Sequence, residues 1–159
     1  MIAIIEIPKD DDRRRHITYD KSGFIDLGPI KETIPINNGV MPVHYGYIPE
    51  TLNETEGDEI DILVLSSKES SVGEKIEVEP IALLSREDGD DKIVAVDETM
   101  LSIKSWDDIP QTERELIQSF FTYYHKFTSI GNAFDAKKYV QEGLRQFTLN
   151  KNIPEKFQD

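Results

Sequence analysis

Glu56-Gly57-Asp58-Glu59-Ile60-Asp61-Ile62-Leu63-Val64-Leu65 opens on an acidic run and closes on unbroken branched aliphatics. A short apolar run bounded by a glycine turn predicts a strand buried on both faces. Asp61, directly ahead of Ile62, then stands at the mouth of a buried strand instead of in a free loop. On either side of this stretch, β-branched runs alternate with turn clusters, and the pattern predicts strands over 2–7, 16–19, 24–27, 60–65, 75–84 and 92–96. Asp20-Lys21-Ser22-Gly23 reads as a hairpin turn. Beyond Asp107-Asp108-Ile109-Pro110 the period changes: Leu116, Phe120 and Tyr124 recur every four residues, with Ile117 and Phe121 beside them, which predicts a helix. A second helix is expected after Asn132, capped by Asp135, with Ala136, Tyr139, Val140, Leu144 and Phe147 on its apolar face. Strands followed by two C-terminal helices, without βαβ alternation, indicate an α+β fold in one domain spanning 1–159.

Composition excludes several classes. Lys plus Arg number 18 against 31 Asp plus Glu, a formal charge of −13. Such a surface repels nucleic-acid phosphates and anionic membranes and favours cations as partners. Cysteine is absent, so neither disulfides nor thiolate ligands are expected. The opening run Met1-Ile2-Ala3-Ile4-Ile5 is short, has no basic start and soon meets Asp10-Asp11-Asp12, so no leader is expected and the cytoplasm is the expected location.

Two acidic clusters stand at strand ends: Glu54, Glu56, Asp58, Glu59 and Asp61 before one, and Glu87, Asp88, Asp90 and Asp91 before another. Acidic loops are commonly just solvated. Crowded carboxylates at a strand mouth, however, raise one another's pKa unless a cation neutralises them. Asp90 and Lys92 are two apart entering a strand and point the same way. An all-oxygen donor set selects a hard cation, Mg²⁺ ahead of Ca²⁺, since no EF-hand spacing is present. His16, His44 and His125 are isolated in sequence, which argues against zinc. Phosphate-loop, dinucleotide-binding and nucleophile-elbow motifs are absent. Tyr45 and Tyr47, flanking Gly46, and Tyr124 in the first helix are open to two readings, ordinary packing or a phosphate-facing hydroxyl.

Glu56-Gly57-Asp58-Glu59-Ile60-Asp61-Ile62 resembles the signature of the family I soluble inorganic pyrophosphatases. The likeness continues in order through Ile5-Glu6-Ile7-Pro8, Tyr45-Gly46-Tyr47-Ile48, Asp90-Asp91-Lys92-Ile93-Val94-Ala95-Val96 and Phe120-Phe121-Thr122-Tyr123-Tyr124. The resemblance implies an OB-like five-stranded antiparallel β-barrel with helices alongside, and Mg²⁺-dependent hydrolysis of inorganic pyrophosphate by a homo-oligomer. It implies metal ligation by Glu56, Asp61 and Asp90 and by Glu87 or Asp88, with Asp58 as general base and Tyr45 near the attacking water. Lys92 and Tyr124 match phosphate contacts, and Glu6 matches an acidic group at the edge of the site.

Departures from the family pattern cluster on the phosphate side. His16 and Thr18 stand where a lysine and a glutamate are expected, with Arg15 as the alternative at the lysine position. Met41 stands for a tyrosine, His125 for a lysine, and the phosphate-clamping arginine has no clear counterpart, Arg15 and Lys31 being the candidates. These changes leave two further readings open: a phosphohydrolase of the same fold acting on another phosphorylated small molecule, and a non-catalytic relative that binds metal.

Overall fold

The computed structural model describes residues 1–151, so 152–159 of the expected domain lie outside the described residues. The elements run β1 (Ile2–Ile7), β2 (Arg13–Ile17), β3 (Phe24–Pro29), β4 (His44–Asn53), β5 (Asp58–Leu65), β6 (Lys75–Glu77), β7 (Glu79–Arg86), β8 (Lys92–Val96), α1 (Gln111–Phe121), β9 (Phe127–Gly131) and α2 (Ala133–Lys151). β2 and β3 pair as a separate antiparallel hairpin across the expected turn. The other strands form one sheet in the order β6-β1-β4-β5-β8-β7-β9.

The mostly-β architecture with two helices is as expected, and the sheet extends beyond the expected five antiparallel strands. It has seven strands, and β5 pairs with β8 in parallel. Among the described residues no ladder joins its two edges. The physical reason lies partly in 75–84, which is not one strand. It breaks at Val78, so that β6 pairs with β1 while β7 pairs with β8, and the chain returns to lay β8 parallel to β5. β9 extends the β7 edge with a half-exposed, polar strand that carries little hydrophobic signal. β4, broken by Gly46 and Pro49, was equally hidden.

Both helices form where the period changes. α1 ends at Phe121, where the Thr122 N–H bonds the Gln118 carbonyl, so Tyr124 lies past the helix and not in it. At the start of α2 the cap is Asn132, and Asp135 answers it from inside the first turn. The Asp135 N–H donates to Asn132 Oδ1 at 3.0 Å, and the Asn132 N–H donates to Asp135 Oδ2 at 2.9 Å, a reciprocal capping box. No helix among the described residues is long and apolar enough to cross a membrane.

Alternation along β5 and β8 sorts the core into two faces. Ile60, Ile62 and Val64 of β5 and Ile93 and Ala95 of β8 pack with Ala136 and Val140 of α2. Leu63 and Leu65, with Val94 and Val96, pack with Ile117, Phe120 and Phe121 of α1. Both strands are therefore covered twice, which is why they read as continuous aliphatic runs. The next positions outward on the α1 face are Asp61 and Lys92, where the polar site begins.

β1 meets β4 closely at Gly46, opposite Ile5, where an added Cβ would collide with the Ile4 carbonyl. Gly46→Ala is expected to destabilise the protein by about 3 kcal/mol or more, because backbone and not a flexible side chain must move. Urea unfolding of the two proteins under the same conditions measures the difference.

Candidate active site

Asp61 and Lys92 are rung partners in the parallel β5–β8 ladder. The Lys92 ammonium donates to Asp61 Oδ2 at 2.8 Å and to the Tyr45 hydroxyl at 3.3 Å, and it lies 3.2 Å from Asp90 Oδ2. It also faces the Tyr45 and Phe121 rings, at 5.4 and 5.9 Å from their centroids. The side chain is only 3% exposed. Burial opposes the ammonium's charge, but Asp61 and Asp90 outweigh it and raise its pKa. Burial, reinforced by the same two carboxylates, pushes the Tyr45 phenol well above its ordinary value, so Tyr45 acts as a neutral hydroxyl.

The turn between β7 and β8 brings the second acidic cluster beside the first. Gly89, at φ 81°, lies so close to Thr55 that a Cβ would press on that side chain, and its carbonyl accepts from Asn53 Nδ2 at 3.0 Å. One oxygen each of Glu56, Asp88 and Asp90 consequently lie within 4.8 Å of one another. Arg86 reaches into this group. Its Nε and Nη2 donate to the two Asp88 oxygens, both at 2.7 Å, and Nη2 also donates to Asp90 Oδ2 at 2.9 Å. That fork holds the Asp88 carboxyl down at about 2. Asp90 responds in the opposite sense. Its burial raises the pKa to about 6, although Lys92 pulls it down. Desolvation, then Asp90 and Asp88, raise Glu56 as well. His125 stands at the rim, 3.5 Å from Glu87 Oε1 and 3.7 Å from Asp88 Oδ2.

A bulge builds the third side. The β1–β4 register shifts between Ile5 and Ile7, leaving Glu6 unpaired in the ladder and turned toward β2, where its Oε2 accepts the Ile17 N–H at 2.7 Å. His16 Nε2 lies 3.3 Å from Asp58 Oδ2, and Lys21 pairs with Glu59, so the β2–β3 hairpin leans on the start of β5. His16, Asp58 and Glu59 form a second set of converging ligand atoms. Burial opposes a charge on His16, yet the Ile17 carbonyl, Glu6 and Asp58 together raise its pKa.

Contacts thus link Tyr45, Asp61, Asp88, Asp90 and Lys92 with Glu56, Glu87 and His125, and Glu6, His16 and Asp58 gather beside the start of β5. Two expected phosphate contacts point elsewhere. Arg15 pairs with Asp11 at 2.8 Å, because the strand alternation that turns His16 toward Asp58 turns Arg15 away. Tyr124, exposed beyond α1, donates its hydroxyl to the Thr33 carbonyl and not to the carboxylate group. Thr18 is taken up by the hairpin turn, bonding Asp20 at 2.7 Å, and Met41 is core. His44 is structural: Nδ1 accepts the Lys9 N–H and Nε2 lies 2.9 Å from the Lys68 carbonyl. The sequence reading passes over Arg86, and it puts Phe121 on the apolar helix face without bringing it to Tyr45 and Lys92. The signal for Arg86 was a single basic residue two and four positions ahead of Asp88 and Asp90.

The donor chemistry fits a hard divalent cation. The converging group at Glu56, Asp88 and Asp90 offers carboxylate oxygen alone, and Asp90 stays raised although Lys92 and Arg86 both touch it. Three carboxylates thus share two fixed cations, Arg86 and Lys92, and the remaining negative charge suits a divalent ion.

The profile of the inorganic pyrophosphatase family matches residues 3–148. The chain is 33% identical over 160 residues to an inorganic pyrophosphatase of Sulfolobus acidocaldarius, covering 91% of this chain and 89% of that protein. It is 35% identical over 162 residues to one of Aeropyrum pernix, covering 91% and 88%. The crystal structure of an inorganic pyrophosphatase from Neisseria gonorrhoeae superposes with a TM-score of 0.81 at 27% identity, covering 93% of this chain and 91% of that one.

Glu6 gives this site a testable pH signature. Burial is the main cause that raises its pKa from 4.5 to about 7. The folded protein thus holds this proton more tightly than the unfolded chain. The associated stability is complete below about pH 4.5 and is lost as pH rises through about 7. In metal-free buffer Glu6→Gln, which keeps an oxygen for the Ile17 N–H, is expected to flatten that loss. The variant should be more stable than wild type at pH 8 by on the order of 2 to 3 kcal/mol. Parallel pH profiles in urea unfolding would contradict this.

Proposed function

The chain belongs to the family I soluble inorganic pyrophosphatases, and from that premise we propose that it hydrolyses inorganic pyrophosphate to two phosphates with a divalent metal as cofactor. The observation that carries the reading is the convergence of Asp61, Asp90 and Lys92 on one face, beside Asp58 and Tyr45, in a chain whose fold superposes on a family member.

In this reading Glu56, Asp61, Asp88 and Asp90 hold the metal ions, with Glu87 at the rim. Bound divalent ions supply a coordinated water of lowered pKa and neutralise phosphate oxygens. The chain's own groups do the rest. Half-exposed Asp58 is, in this reading, the carboxylate that accepts a proton from the attacking water. His16 stands beside it, its Nε2 3.3 Å from Asp58 Oδ2, and in its protonated form presents positive charge toward phosphate. Tyr45, kept neutral by burial, donates or accepts a hydrogen bond at the site without itself ionising. Lys92 remains an ammonium at all working pH values and offers a fixed positive charge to a phosphate. Glu6, at its bulge, ties β2 to β1 and sets the distance between His16 and the carboxylates.

The five central strands, β1-β4-β5-β8-β7, we read as the OB-like unit of the family, and residues 1–159 as one domain. Mg²⁺ as the ion, a cytoplasmic setting and a homo-oligomeric state belong to the same proposal and are supported by family membership alone.

Phosphate release from pyrophosphate while Mg²⁺ is titrated is the test. Turnover is expected to need Mg²⁺, and Asp58→Asn is expected to lower kcat by roughly 100-fold or more, the range for losing a general base. No phosphate release at any Mg²⁺ concentration would overturn the reading.

A further inference from the structure

A guanidinium carries five N–H groups. Arg86 directs four of them at protein acceptors: Nε and Nη2 to Asp88, Nη2 to Asp90, and Nη1 to the Phe121 carbonyl at 3.2 Å. Its backbone N–H adds a bond to Asp91 Oδ1 at 2.8 Å. The side chain is 15% exposed. A cation so fully engaged is not reaching outward for a substrate phosphate. It is joined instead to the carboxylates that the proposed function assigns to metal. Asp90 is bracketed by two fixed cations, Arg86 on one side and Lys92 on the other. Through the Phe121 carbonyl, Arg86 also ties the turn 87–91 to the C-terminal end of α1, where the helix presents partial negative charge.

We propose that Arg86 is a built-in counter-ion of the Glu56–Asp88–Asp90 cup: it holds the carboxylates together when no metal is present and weakens divalent-cation binding there by competing for Asp88 and Asp90. The proposal rests on the reading of this cup as a metal site. Two physical consequences separate it from a purely structural arginine. Removing one positive charge a few ångströms from the ligand oxygens strengthens cation binding, by about tenfold even when screened as fully as in bulk water. Without metal, the same removal leaves the carboxylates repelling one another, so stability comes to depend on the ion. A scaffold residue that merely shaped the cup would, when lost, weaken binding.

The variants are Arg86→Met, similar in reach and uncharged, and Arg86→Lys, which keeps the charge. Mg²⁺ alone is titrated calorimetrically into each, following the binding step that Asp90→Asn removes, and melting is recorded in EDTA and in saturating Mg²⁺. Arg86→Met is expected to bind Mg²⁺ about tenfold tighter than wild type. It should melt several degrees lower in EDTA, with the gap closing in Mg²⁺, while Arg86→Lys falls between the two. Unchanged or weaker Mg²⁺ binding by folded Arg86→Met overturns the proposal, as does the absence of any such binding step in both proteins. If Arg86→Met unfolds in EDTA, adding Asp88→Asn decides: recovered folding supports the counter-ion and continued unfolding overturns it. Wild-type protein that binds Mg²⁺ at this cup and releases no phosphate from pyrophosphate contradicts the proposed function alone, so the two failures are distinguishable.

Discussion

A lysine ammonium held out of water between two carboxylates is the contact on which the rest of the site depends. Burying three charged groups is costly, and it is sustained only because Lys92 reaches Asp61, Asp90 and the Tyr45 hydroxyl together. The parallel β5–β8 ladder makes this possible. It sets Asp61 and Lys92 side by side on one rung, and the two-residue alternation of an extended chain brings Asp90 to the same side. A register slip of one residue would carry Asp61 or Lys92 to the α2 face, among Ile62, Ile93 and Val140. The hydrophobic packing of both sheet faces therefore fixes the polar geometry at their end.

The same constraint explains how the negative charge is distributed. Part of it converges at the mouths of β5 and β8, where Arg86 and Lys92 supply fixed positive charge to the carboxylates. They arrive from opposite ends of the β7–β8 turn. Much of the remainder is engaged locally and not merely solvated: Asp11 accepts the Arg13 N–H and pairs with Arg15, and Asp108 accepts the Lys104 N–H. Neither Arg86 nor Lys92 takes the place of the clamping arginine of the family pattern: both are joined to the carboxylates.

Much of this is legible in the sequence alone. Continuous aliphatic runs located β1, β5 and β8 closely, and crowding at strand mouths pointed to Asp61 and Asp90. The resemblance in five ordered segments matched the family. What escaped has physical causes. β9 lacks an apolar stripe because its side chains are largely exposed, and Val78 divides a run that composition alone reads as one strand. Tyr124 kept the helical spacing of Leu116 and Phe120, yet α1 ends before it, since spacing does not register where the last carbonyls find partners. Arg15 and His16 could not be told apart because their orientation depends on a bulge in the β2–β3 pairing between Arg13 and Arg15. Arg86 was masked by the acidic residues it serves.

Steady-state pyrophosphate hydrolysis by Lys92→Met in saturating Mg²⁺, with folding verified by circular dichroism, tests the central ion triad most directly. The variant removes the fixed ammonium and leaves Asp61 and Asp90 to the metal. The expected result is a fall in kcat of roughly 100-fold or more, in line with losing a transition-state cation, with Mg²⁺ affinity undiminished. Turnover near the wild-type rate in a folded Lys92→Met protein would contradict it.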